Sequence, residues 1–379
     1  MRIGIVAGEA SGDLLGSGLI AELKKLRPEL TFEGIAGPRM IKAGATSLYP
    51  MERLSVMGLT EVLGRYTELH RMRKNLITHF CQSKIDLFIG VDAPDFNLGV
   101  EAKLHKAGIK TVQYVSPQVW AWRQYRVKKI VRSTDLMLTL LPFEAQFYQE
   151  HQVPVEFVGH PLADLIPMTN DKTAARHLLN LAEGKKYIAI LPGSRSNEIQ
   201  YLGNRFLDIA SWCYRQMNDL HFITPLPNLE RRKQFEQCIA QHPDELPFTL
   251  FDGMSREVVS AADTVLLASG TAALETMLLK RPMVVAYRMA PLTYWIGRRM
   301  VKLKHFSLPN LLLPEPMVPE FLQDSVSPER VGQALVEYLS DKDKVQVLTQ
   351  RFNEVHAQLR RNASATAATA VLQLLDRKG

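Results

Sequence analysis

The chain has 379 residues, which is too long for one hydrophobic core and fits two domains of about 150–200 residues each. Its hydrophobic content of 46% and charged content of 22% are ordinary for a globular protein, and no apolar run reaches the roughly 20 residues of a membrane-spanning helix. The net charge of +7 suits nucleic acid, anionic membranes or anionic substrates, whereas three widely spaced cysteines argue against a metal cage and indicate a reducing compartment.

The first half of the chain alternates apolar runs of strand length with helical patterns, which favours a parallel sheet with helices on both faces. Strands are predicted at IGIVAG, TFEGIAG, IDLFIGVD, KTVQYVS, VRSTDLMLTLLP and VEFVGH. Helices are predicted at Gly16–Leu26, Pro38–Ala43, Leu59–Phe80, Phe96–Ala107 and PFEAQFYQEH. The stretch GHPLADLIPMTN is rich in proline and turn residues and is interpreted as a linker.

The same alternation restarts after the linker. Strands are predicted at YIAILPGS, HFITPL, FTLFDG, TVLLAS and PMVVAY, and helices at Ile199–Met217, Arg231–Ala240, Ser255–Ala261, Thr271–Leu279 and throughout 328–376. The expected fold class is therefore α/β, with two tandem Rossmann-like, doubly wound domains at 1–165 and 166–340. The helices of 341–379 form a C-terminal tail, and its packing back onto the first domain is left open.

Ligands of doubly wound sheets bind beyond the carboxyl ends of the strands, so the turns after the strands are the places to search. The first such turn, AGEASGD, has small residues that let its backbone approach a ligand, and it opens a helix. It is not the G-x-G-x-x-G dinucleotide fingerprint. Ser11 is a candidate substrate contact, although Ser11 or Asp13 could simply cap the helix. Glu9 is harder to explain structurally, because it stands just past a buried strand.

The turn VDAPDFN places carboxylates directly after another buried strand. Pro94 fits a helix start, and Asp95 can cap that helix. Asp92 projects from the carboxyl end of the strand itself, where a carboxylate needs a partner or a function. A base at that position would suit the deprotonation of a hydroxyl group.

The turn LPGSRSNEI connects a strand to a helix in the second domain. Gly193 and Ser194 can present backbone N–H groups to a phosphate, and the Arg195 guanidinium can bind its oxygens in a bidentate manner. Glu198 is interpreted as a first-turn acid that the helix dipole stabilises. The turn is therefore a candidate diphosphate site.

The next candidate turn is LLASGTAALE, in which Ser269, Gly270 and Thr271 end a strand and open a helix, forming a second anion-binding nest. Glu275 lies one turn further along and could accept both hydroxyls of a ribose, or it could be a surface residue. Asn310, in the rigid loop SLPNLLLPEP, could read a uracil edge or hold a loop turn, and the residues alone leave both open.

Two stretches mix apolar residues with lysine and arginine, namely Leu59–Phe80 and Tyr294–His305. Such helices suit the interface of an anionic membrane, although an apolar helix face also packs commonly in a protein core. Basic residues also cluster without any acid at 102–134 and 276–314. Nucleic acid is not expected as a partner, because these patches lack a recognisable binding module.

Eleven motifs run in order along nearly the whole chain, from residue 6 to beyond 310: VAGEASGDLLG, GIAGPRM, VMGLTEVLGR, GVDAPDFN, YVSPQVWAWR, LPFE, FVGHPLAD, LPGSR, ASGTAALE, PMVVAYRM and SLPNLLL. Together they resemble the lipid A disaccharide synthase family, bacterial glycosyltransferases of the GT-B type, in which two Rossmann-like domains face a cleft. The resemblance implies inverting transfer of 2,3-diacylglucosamine from UDP-2,3-diacylglucosamine to 2,3-diacylglucosamine 1-phosphate (lipid X). The products would be UDP and a β-1,6-linked disaccharide 1-phosphate.

The resemblance also assigns roles to the candidate residues. Asp92 matches the catalytic aspartate of the family, although the sequence leaves open whether Asp92, Asp95 or Glu9 takes the proton. Arg195, with both candidate nests, would neutralise the diphosphate, and Glu9 would lie near a sugar. Glu275 and Asn310 match positions that contact UDP, toward the ribose and the base.

No metal or cofactor is expected, since protein donors would serve the diphosphate. The expected partners are the two acylated substrates, an anionic membrane surface and, among the assemblies considered, a second copy in a homodimer. The N-terminus lacks the features of a signal peptide, so a cytoplasmic protein on the inner face of the inner membrane is expected.

Three alternatives stay open at this point. One is another GT-B enzyme that uses a UDP-sugar, and a second is a UDP-N-acetylglucosamine 2-epimerase, for which His160 is the nearest candidate residue. The third is a regulator that binds nucleotide or lipid without turnover. Hydrolysis of the donor with and without an acceptor would separate the enzymes.

Overall fold

The computed structural model describes residues 1–54, 59–122, 124–290, 294–295 and 304–377, with side chains of the helix beginning at Leu59 described from Thr67 onward. The chain forms two compact units. The first comprises Met1–Asp164 together with Leu359–Gly379, and the second comprises Leu165–Gln358.

A seven-stranded parallel sheet forms the centre of the first unit. Its strands are β1 (Arg2–Ala7), β2 (Thr31–Ala36), β3 (Ala45–Pro50), β4 (Leu87–Val91), β5 (Lys110–Tyr114), β6 (Leu136–Thr139) and β7 (Val155–Phe157). The order is β3-β2-β1-β4-β5-β6-β7, so the strand order reverses between β1 and β4. The helices up to the unit boundary are α1 (Ala10–Leu26), α2 (Pro38–Lys42), α3 (Leu59–Gln82), α4 (Pro94–Lys106), α5 (Val127–Val131), α6 (Pro142–Glu150) and α7 (Pro161–Leu165).

A six-stranded parallel sheet forms the centre of the second unit. Its strands are β8 (Lys186–Leu191), β9 (Leu220–Leu226), β10 (Phe248–Asp252), β11 (Thr264–Leu267), β12 (Met283–Tyr287) and β13 (Glu320–Leu322). The order is β10-β9-β8-β11-β12-β13, which reverses between β8 and β11. The helices are α8 (Lys172–Leu178), α9 (Ser196–Gln216), α10 (Leu229–Gln241), α11 (Ser255–Ala261), α12 (Thr271–Leu278), α13 (Leu308–Leu312), α14 (Pro328–Ser340) and α15 (Lys342–Leu359).

The prediction of two tandem doubly wound sheets is confirmed, and the apolar runs that form the central strands β1, β4, β8 and β11 are buried. Several local details differ from expectation. The first helix begins at Ala10 instead of Gly16, and the presumed linker contains the helix α7. Strands β3 and β13 were not predicted, because each is an edge strand whose residues are mostly partly exposed and neither has a long apolar run.

The C-terminal segment is not one continuous helix. It comprises α14, α15 and a last helix α16 (Ala363–Asp376), with Asn362 in the left-handed region at φ 54° before α16. Helix α16 packs in the core of the first unit, where Ala367 and Val371 are fully buried. The Asp164 carboxylate accepts hydrogen bonds from the N–H groups of Asn362 and Ala363, at 2.9 and 2.6 Å, and so caps this helix.

Helix α3 does not turn its described apolar residues toward solvent. Met72, Leu76 and Phe80 are buried in the core of the first unit, and the Arg73 guanidinium lies 6.0 Å from the Phe96 ring centroid. The membrane interpretation of these apolar residues is therefore corrected to core packing. The other amphipathic stretch, 294–305, lies mostly outside the described residues. Within the described part of the chain, no helix is both long and apolar enough to cross a membrane.

Asp164→Ala should loosen α16 in particular. Loss of an N-cap costs about 0.5–2 kcal/mol, and here the carboxylate accepts two backbone hydrogen bonds. We expect faster amide hydrogen exchange in α16 and a lower urea midpoint for the first unit. Asp376→Ala is the matched control at the other end of α16, because among the described residues it removes a partly exposed ion pair with Arg27, worth about 0–1 kcal/mol. Equal exchange rates in the two variants would contradict the cap.

Candidate active site

Two predicted acidic residues of the first unit lie at the point where the strand order reverses. Ala7, the last residue of β1, is paired with Val91, the last residue of β4. The turns that follow also approach each other, because a Cβ on Gly8 would lie 2.8 Å from the Cβ of Ala93. Glu9 and Asp92 therefore both lie beyond the carboxyl ends of neighbouring strands, which is where doubly wound proteins bind ligands.

Asp92 has an unusual backbone conformation. Its φ is 53° and that of Ala93 is 42°, so two consecutive residues other than glycine occupy the left-handed region. The Asp92 N–H donates to Tyr114 O at 2.8 Å. The Asp92 carbonyl accepts hydrogen bonds from Asn97 Nδ2 at 2.8 Å and from Gln113 Nε2 at 3.2 Å. These bonds hold the carboxylate just beyond the end of the strand.

The Asp92 carboxyl group has the electrostatics of a base. Burial raises its pKa above the ordinary value, a hydrogen bond from the Ala93 backbone opposes that change, and the negative charge of Glu9 raises the pKa further. The residue as a whole remains half-buried. A carboxylate with a raised pKa binds a proton more strongly, which improves it as a general base.

Asp95 does not cap α4, contrary to expectation. The N-cap is Ala93, and Asp95 is the second residue of the helix, where its exposed carboxylate forms a 2.6 Å ion pair with Arg126. The helix starts with Pro94, whose missing N–H costs nothing at that position. Asp95 is thus occupied by a surface ion pair and lies away from the strand end that Asp92 occupies.

The first turn also differs from expectation in its capping. Asp13 is buried and its carboxylate accepts from the N–H groups of Arg39 at 3.0 Å and Met40 at 2.9 Å, so it caps α2 and not α1. Glu9 is the N-cap residue of α1 but makes no side-chain capping bond, and its side chain is exposed. Ser11 is exposed within the first turn of the helix. The acidic side chain free to act at this turn is Glu9.

A cavity of about 830 Å³ opens in the second unit where its strand order reverses. Its volume is in the range of small-molecule and cofactor sites. It brings together the predicted diphosphate residues of both turns. The lining residues are Leu191, Gly193, Ser194, Arg195, Glu198, Pro225, Leu226, Pro227, Gly253, Ser255, Ala268, Ser269, Gly270, Thr271, Ala272, Tyr287, Met289, Tyr294, Lys304, His305, Phe306 and Leu322.

In the turn after β8, the side chain of Glu198 already occupies the backbone donors. Glu198 Oε2 accepts from the N–H groups of Ser194 at 2.8 Å and Arg195 at 3.1 Å. Gly193 has φ 122°, and a Cβ there would collide with Glu198. The expectation that the Ser194 N–H binds phosphate is therefore corrected, because Glu198 already accepts this donor. The exposed Arg195 side chain remains as the cation that this turn presents to the cavity.

The turn after β11 is open by comparison. Gly270 is the N-cap of α12 and has no side chain to cap the helix, and Ser269 and Thr271 line the same cavity. The first N–H groups of an uncapped helix favour an anion. Of the two predicted nests, this one has the geometry for binding a phosphate group.

The Glu275 carboxylate lies outside the lining of this cavity. Its Oε1 accepts from Arg256 Nε at 2.6 Å, in an ion pair whose acid is mostly buried. A contact with ribose hydroxyls, as the resemblance implies, would have to share this carboxylate with Arg256. The role of Glu275 toward UDP stays a prediction.

The side-chain amide of Asn310 forms hydrogen bonds with neighbouring protein groups through both its nitrogen and its oxygen. Its Nδ2 donates to Val318 O and to Glu320 Oε1, each at 2.8 Å, and its Oδ1 accepts from the N–H groups of Met317 and Val318. Of the two readings that the sequence left open, these bonds favour the residue that holds a loop turn. A direct contact with the base would require one of them to break.

Sequence reasoning missed Glu320. Its carboxylate accepts from the N–H groups of Phe306 and Ser307 and from the side chain of Asn310, and it lies 3.6 Å from His305 Nδ1. This acid holds the loop that brings Lys304, His305 and Phe306 to the cavity. No motif marks it, because its partners lie ten or more residues away in the chain.

Asn97 and Gln113 were also missed as supports of Asp92. The signal that could have found them is polar character at buried positions, since both are fully buried. Among the described residues, no group of three or more histidine, cysteine and acidic side chains could hold a metal ion.

Solved structures with related architecture share the fold of this chain at low sequence identity. The UDP-N-acetylglucosamine 2-epimerase from Neisseria meningitidis, bound to UDP-N-acetylglucosamine, has a TM-score of 0.61, with 13% identity and 100% coverage of both chains. A glycosyltransferase from Rickettsia africae has a TM-score of 0.58, with 10% identity and coverage of 99% and 97%. These likenesses support the GT-B type of fold.

Sequence comparison is far more specific. Two relatives named lipid-A-disaccharide synthase, from Hahella chejuensis and Pseudomonas putida W619, are 53% and 55% identical to this chain. The alignments cover 100% and 98% of this chain, and 95% and 98% of the relatives. The family described as lipid-A-disaccharide synthetase matches residues 3–371, and the chain belongs to this family.

Proposed function

We propose that this chain, as a member of that family of glycosyltransferases, transfers 2,3-diacylglucosamine from UDP-2,3-diacylglucosamine to the 6-hydroxyl of 2,3-diacylglucosamine 1-phosphate. The observation that carries the site assignment is Asp92, a half-buried carboxylate on a left-handed turn at the switch point of the first sheet. A base at this position and an anion-binding cavity in the second unit are the two functions that such a transfer requires.

The proposed reaction is a single displacement. Asp92 takes the proton of the acceptor hydroxyl as its oxygen attacks the anomeric carbon of the donor. The bond between that carbon and the oxygen of UDP breaks, and UDP leaves with the bonding electron pair. Because the attack occurs opposite the leaving group, the α-linked donor gives a β-linked product. Glu9 supports this step through its charge, which raises the proton affinity of Asp92.

The leaving diphosphate needs positive charge and hydrogen-bond donors. We assign the guanidinium of Arg195 and the uncapped N-terminus of α12, at Ser269–Thr271, to this role. Lys304 on the cavity wall adds a second cation. Asn310 serves the donor indirectly in this proposal, by holding Glu320 and the loop that contributes Lys304.

The epimerase alternative finds little support in its candidate histidine. Burial lowers the pKa of His160 to about 4, and its Nδ1 accepts a hydrogen bond from the Leu162 N–H within the same turn. A neutral imidazole bound in its own loop is suited to holding the chain and poorly suited to acid–base work at neutral pH.

Asp92→Asn should abolish most turnover while leaving UDP binding intact. Loss of a positioned base lowers the rate by roughly 10²- to 10⁴-fold, and in the parent the rate should fall as pH drops through the raised pKa of Asp92. Disaccharide formation in detergent micelles measures turnover, and calorimetry measures UDP affinity. Asp95→Asn is the matched control and should change turnover only a few-fold, because Asp95 forms a surface ion pair.

The opposite ranking of these two variants would transfer the role of base to Asp95. Similar rates in both variants and in the parent would exclude base catalysis by either residue. UDP release from the parent that does not depend on lipid X would favour hydrolysis or epimerisation over transfer.

Arg195→Ala should weaken UDP binding. A charge-assisted hydrogen bond contributes about 1.5–3 kcal/mol, so the Kd for UDP should rise roughly 10- to 100-fold. Arg205→Ala is the matched control, since Arg205 lies within helix α9, of which Arg195 is the N-cap, and its ion pair among the described residues is an exposed one with Asp208 at 3.7 Å. An unchanged Kd in Arg195→Ala, measured by calorimetry, would remove Arg195 from the diphosphate site.

The substrates carry acyl chains, so we also propose that the enzyme binds an anionic membrane surface. The first unit exposes a cluster at α5, in which Tyr125 is 72% and Val131 44% exposed beside Lys128, Lys129 and Arg132. Aromatic and basic side chains together suit the headgroup region of anionic lipid. The homodimer expected from the sequence stays a prediction that sedimentation would check.

Lys128→Glu combined with Arg132→Glu should release the protein from vesicles that contain anionic phosphatidylglycerol. Each basic residue near such a surface contributes about 1 kcal/mol, so reversal of two charges should lower the bound fraction in flotation at least tenfold. Lys185→Glu with Lys233→Glu is the charge-matched control on exposed residues of the second unit. Flotation that is equal in both double variants, or that is insensitive to salt, would contradict the α5 surface.

A further inference from the structure

The buried side-chain amide of Gln113 supports two backbone-strained residues, Asp92 and Val115, at the carboxyl ends of strands in the first sheet. Gln113 Nε2 donates to Asp92 O and to Val115 O, each at 3.2 Å. These two residues follow the neighbouring strands β4 and β5, and both lie in the left-handed region, with φ 53° at Asp92 and 81° at Val115. A β-branched residue such as valine rarely adopts that conformation. The orientation of the Gln113 side chain is therefore central to the backbone conformation at these two strand ends.

The hydrogen bonds also fix which way the amide points. Because the nitrogen of Gln113 faces two carbonyl oxygens, its Oε1 must face the other way. The neighbouring position on β4 is Gly90, which is paired with Gln113. A Cβ there would lie 2.9 Å from Gln113 Oε1 and 2.7 Å from Glu101 Oε1, so both oxygens occupy the space that the missing side chain leaves.

These two oxygens are both buried, and among the described residues neither receives a hydrogen bond. Two unpaired acceptors in one buried space are unfavourable unless a proton lies between them. Gln113 Oε1 cannot supply that proton, but a carboxyl group can. The other oxygen of Glu101 accepts from Thr134 Oγ1 at 2.8 Å, which leaves Oε1 as the atom to carry the proton.

The charges around Glu101 agree with a protonated carboxyl group. Glu101 is fully buried, and burial raises its pKa to about 8. The Thr134 hydrogen bond and the positive charge of Lys129 lower that pKa, whereas the negative charge of Asp135 raises it. Within the described part of the chain no salt bridge compensates Glu101, so the neutral form is favoured at neutral pH.

We propose that Glu101 is a positioning residue that carries a proton and donates it in a hydrogen bond to Gln113 Oε1, thereby fixing the amide that holds Asp92 in its catalytic conformation. The inference rests on the proposed role of Asp92 as the base. Asn97 completes the network, since its buried Nδ2 donates to Val6 O at 3.3 Å and to Asp92 O at 2.8 Å. The network thus connects a buried acid to the proposed base.

Glu101→Gln is the discriminating variant, because an amide keeps a donor toward Gln113 and an acceptor toward Thr134 but cannot ionise. At pH 7 its kcat should stay within about threefold of the parent. Above pH 8 the parent should lose activity as Glu101 ionises, and the variant should not. Glu101→Leu, which has no donor, should lower kcat about 10- to 100-fold with an unchanged Kd for UDP. Equal losses in both variants at pH 7, or an identical alkaline decline in parent and Glu101→Gln, would overturn the proposal.

Unfolding by urea tests the protonation without any assay of turnover. An acid whose pKa is raised in the folded state stabilises the fold at low pH and loses that contribution as pH rises toward the folded value. The parent should therefore lose stability relative to Glu101→Gln between about pH 4.5 and 8, and the difference should level off above pH 8. A constant difference across this range would contradict a protonated Glu101. If this result holds but no disaccharide forms, the proposed function fails while the protonated acid stands.

Discussion

The left-handed turn at Asp92 and Ala93 is the constraint on which the candidate base depends. A carboxylate directly after a buried strand reaches the ligand-binding side of the sheet only if the backbone turns immediately at the end of the strand. Two residues other than glycine in this region cost about 1–2 kcal/mol each. A single backbone hydrogen bond contributes about 0.5–1.5 kcal/mol net, so one bond cannot hold the turn. The bonds to Tyr114, Asn97 and Gln113 together can, which explains buried polar side chains at this edge.

The two candidate anion-binding turns of the second unit differ in how the N-terminus of the following helix is satisfied. Both follow a strand at the switch point, and both begin a helix. At α9, Glu198 accepts hydrogen bonds from the N–H groups of Ser194 and Arg195. These donors are therefore occupied, and the side chain of Arg195 remains available to the cavity. At α12 the cap is Gly270, which has no side chain to compete with a phosphate. Sequence spacing makes these turns look alike, and the difference between them is one carboxylate.

Local patterns in the sequence were sufficient for the architecture and for the strand ends at which the candidate site residues lie. Buried strands are apolar runs, and the turns after β1, β4, β8 and β11 are rich in small or charged residues, so both features are local. Capping was not predictable in the same way. Asp13 caps a helix that begins 25 residues later, and Asn310 is bound by a strand and loop that only the tertiary fold brings near. Likewise, Gln113 and Glu101 meet because Gly90 leaves room, which requires the register of β4 and β5.

The two carboxylates at the first switch point differ in exposure, and we propose different roles for them. Glu9 is exposed and its charge raises the proton affinity of Asp92, which burial has already raised. When like charges interact in this way, the proton affinity belongs partly to the pair. Removing Glu9 would lower the pKa of Asp92 and so weaken it as a base, even though Glu9 need never take a proton from the substrate. Mutational loss of activity at Glu9 therefore would not identify it as the base. The pH dependence of the activity that remains in a variant distinguishes an acid that shifts the pKa of the base from the acid that accepts the proton.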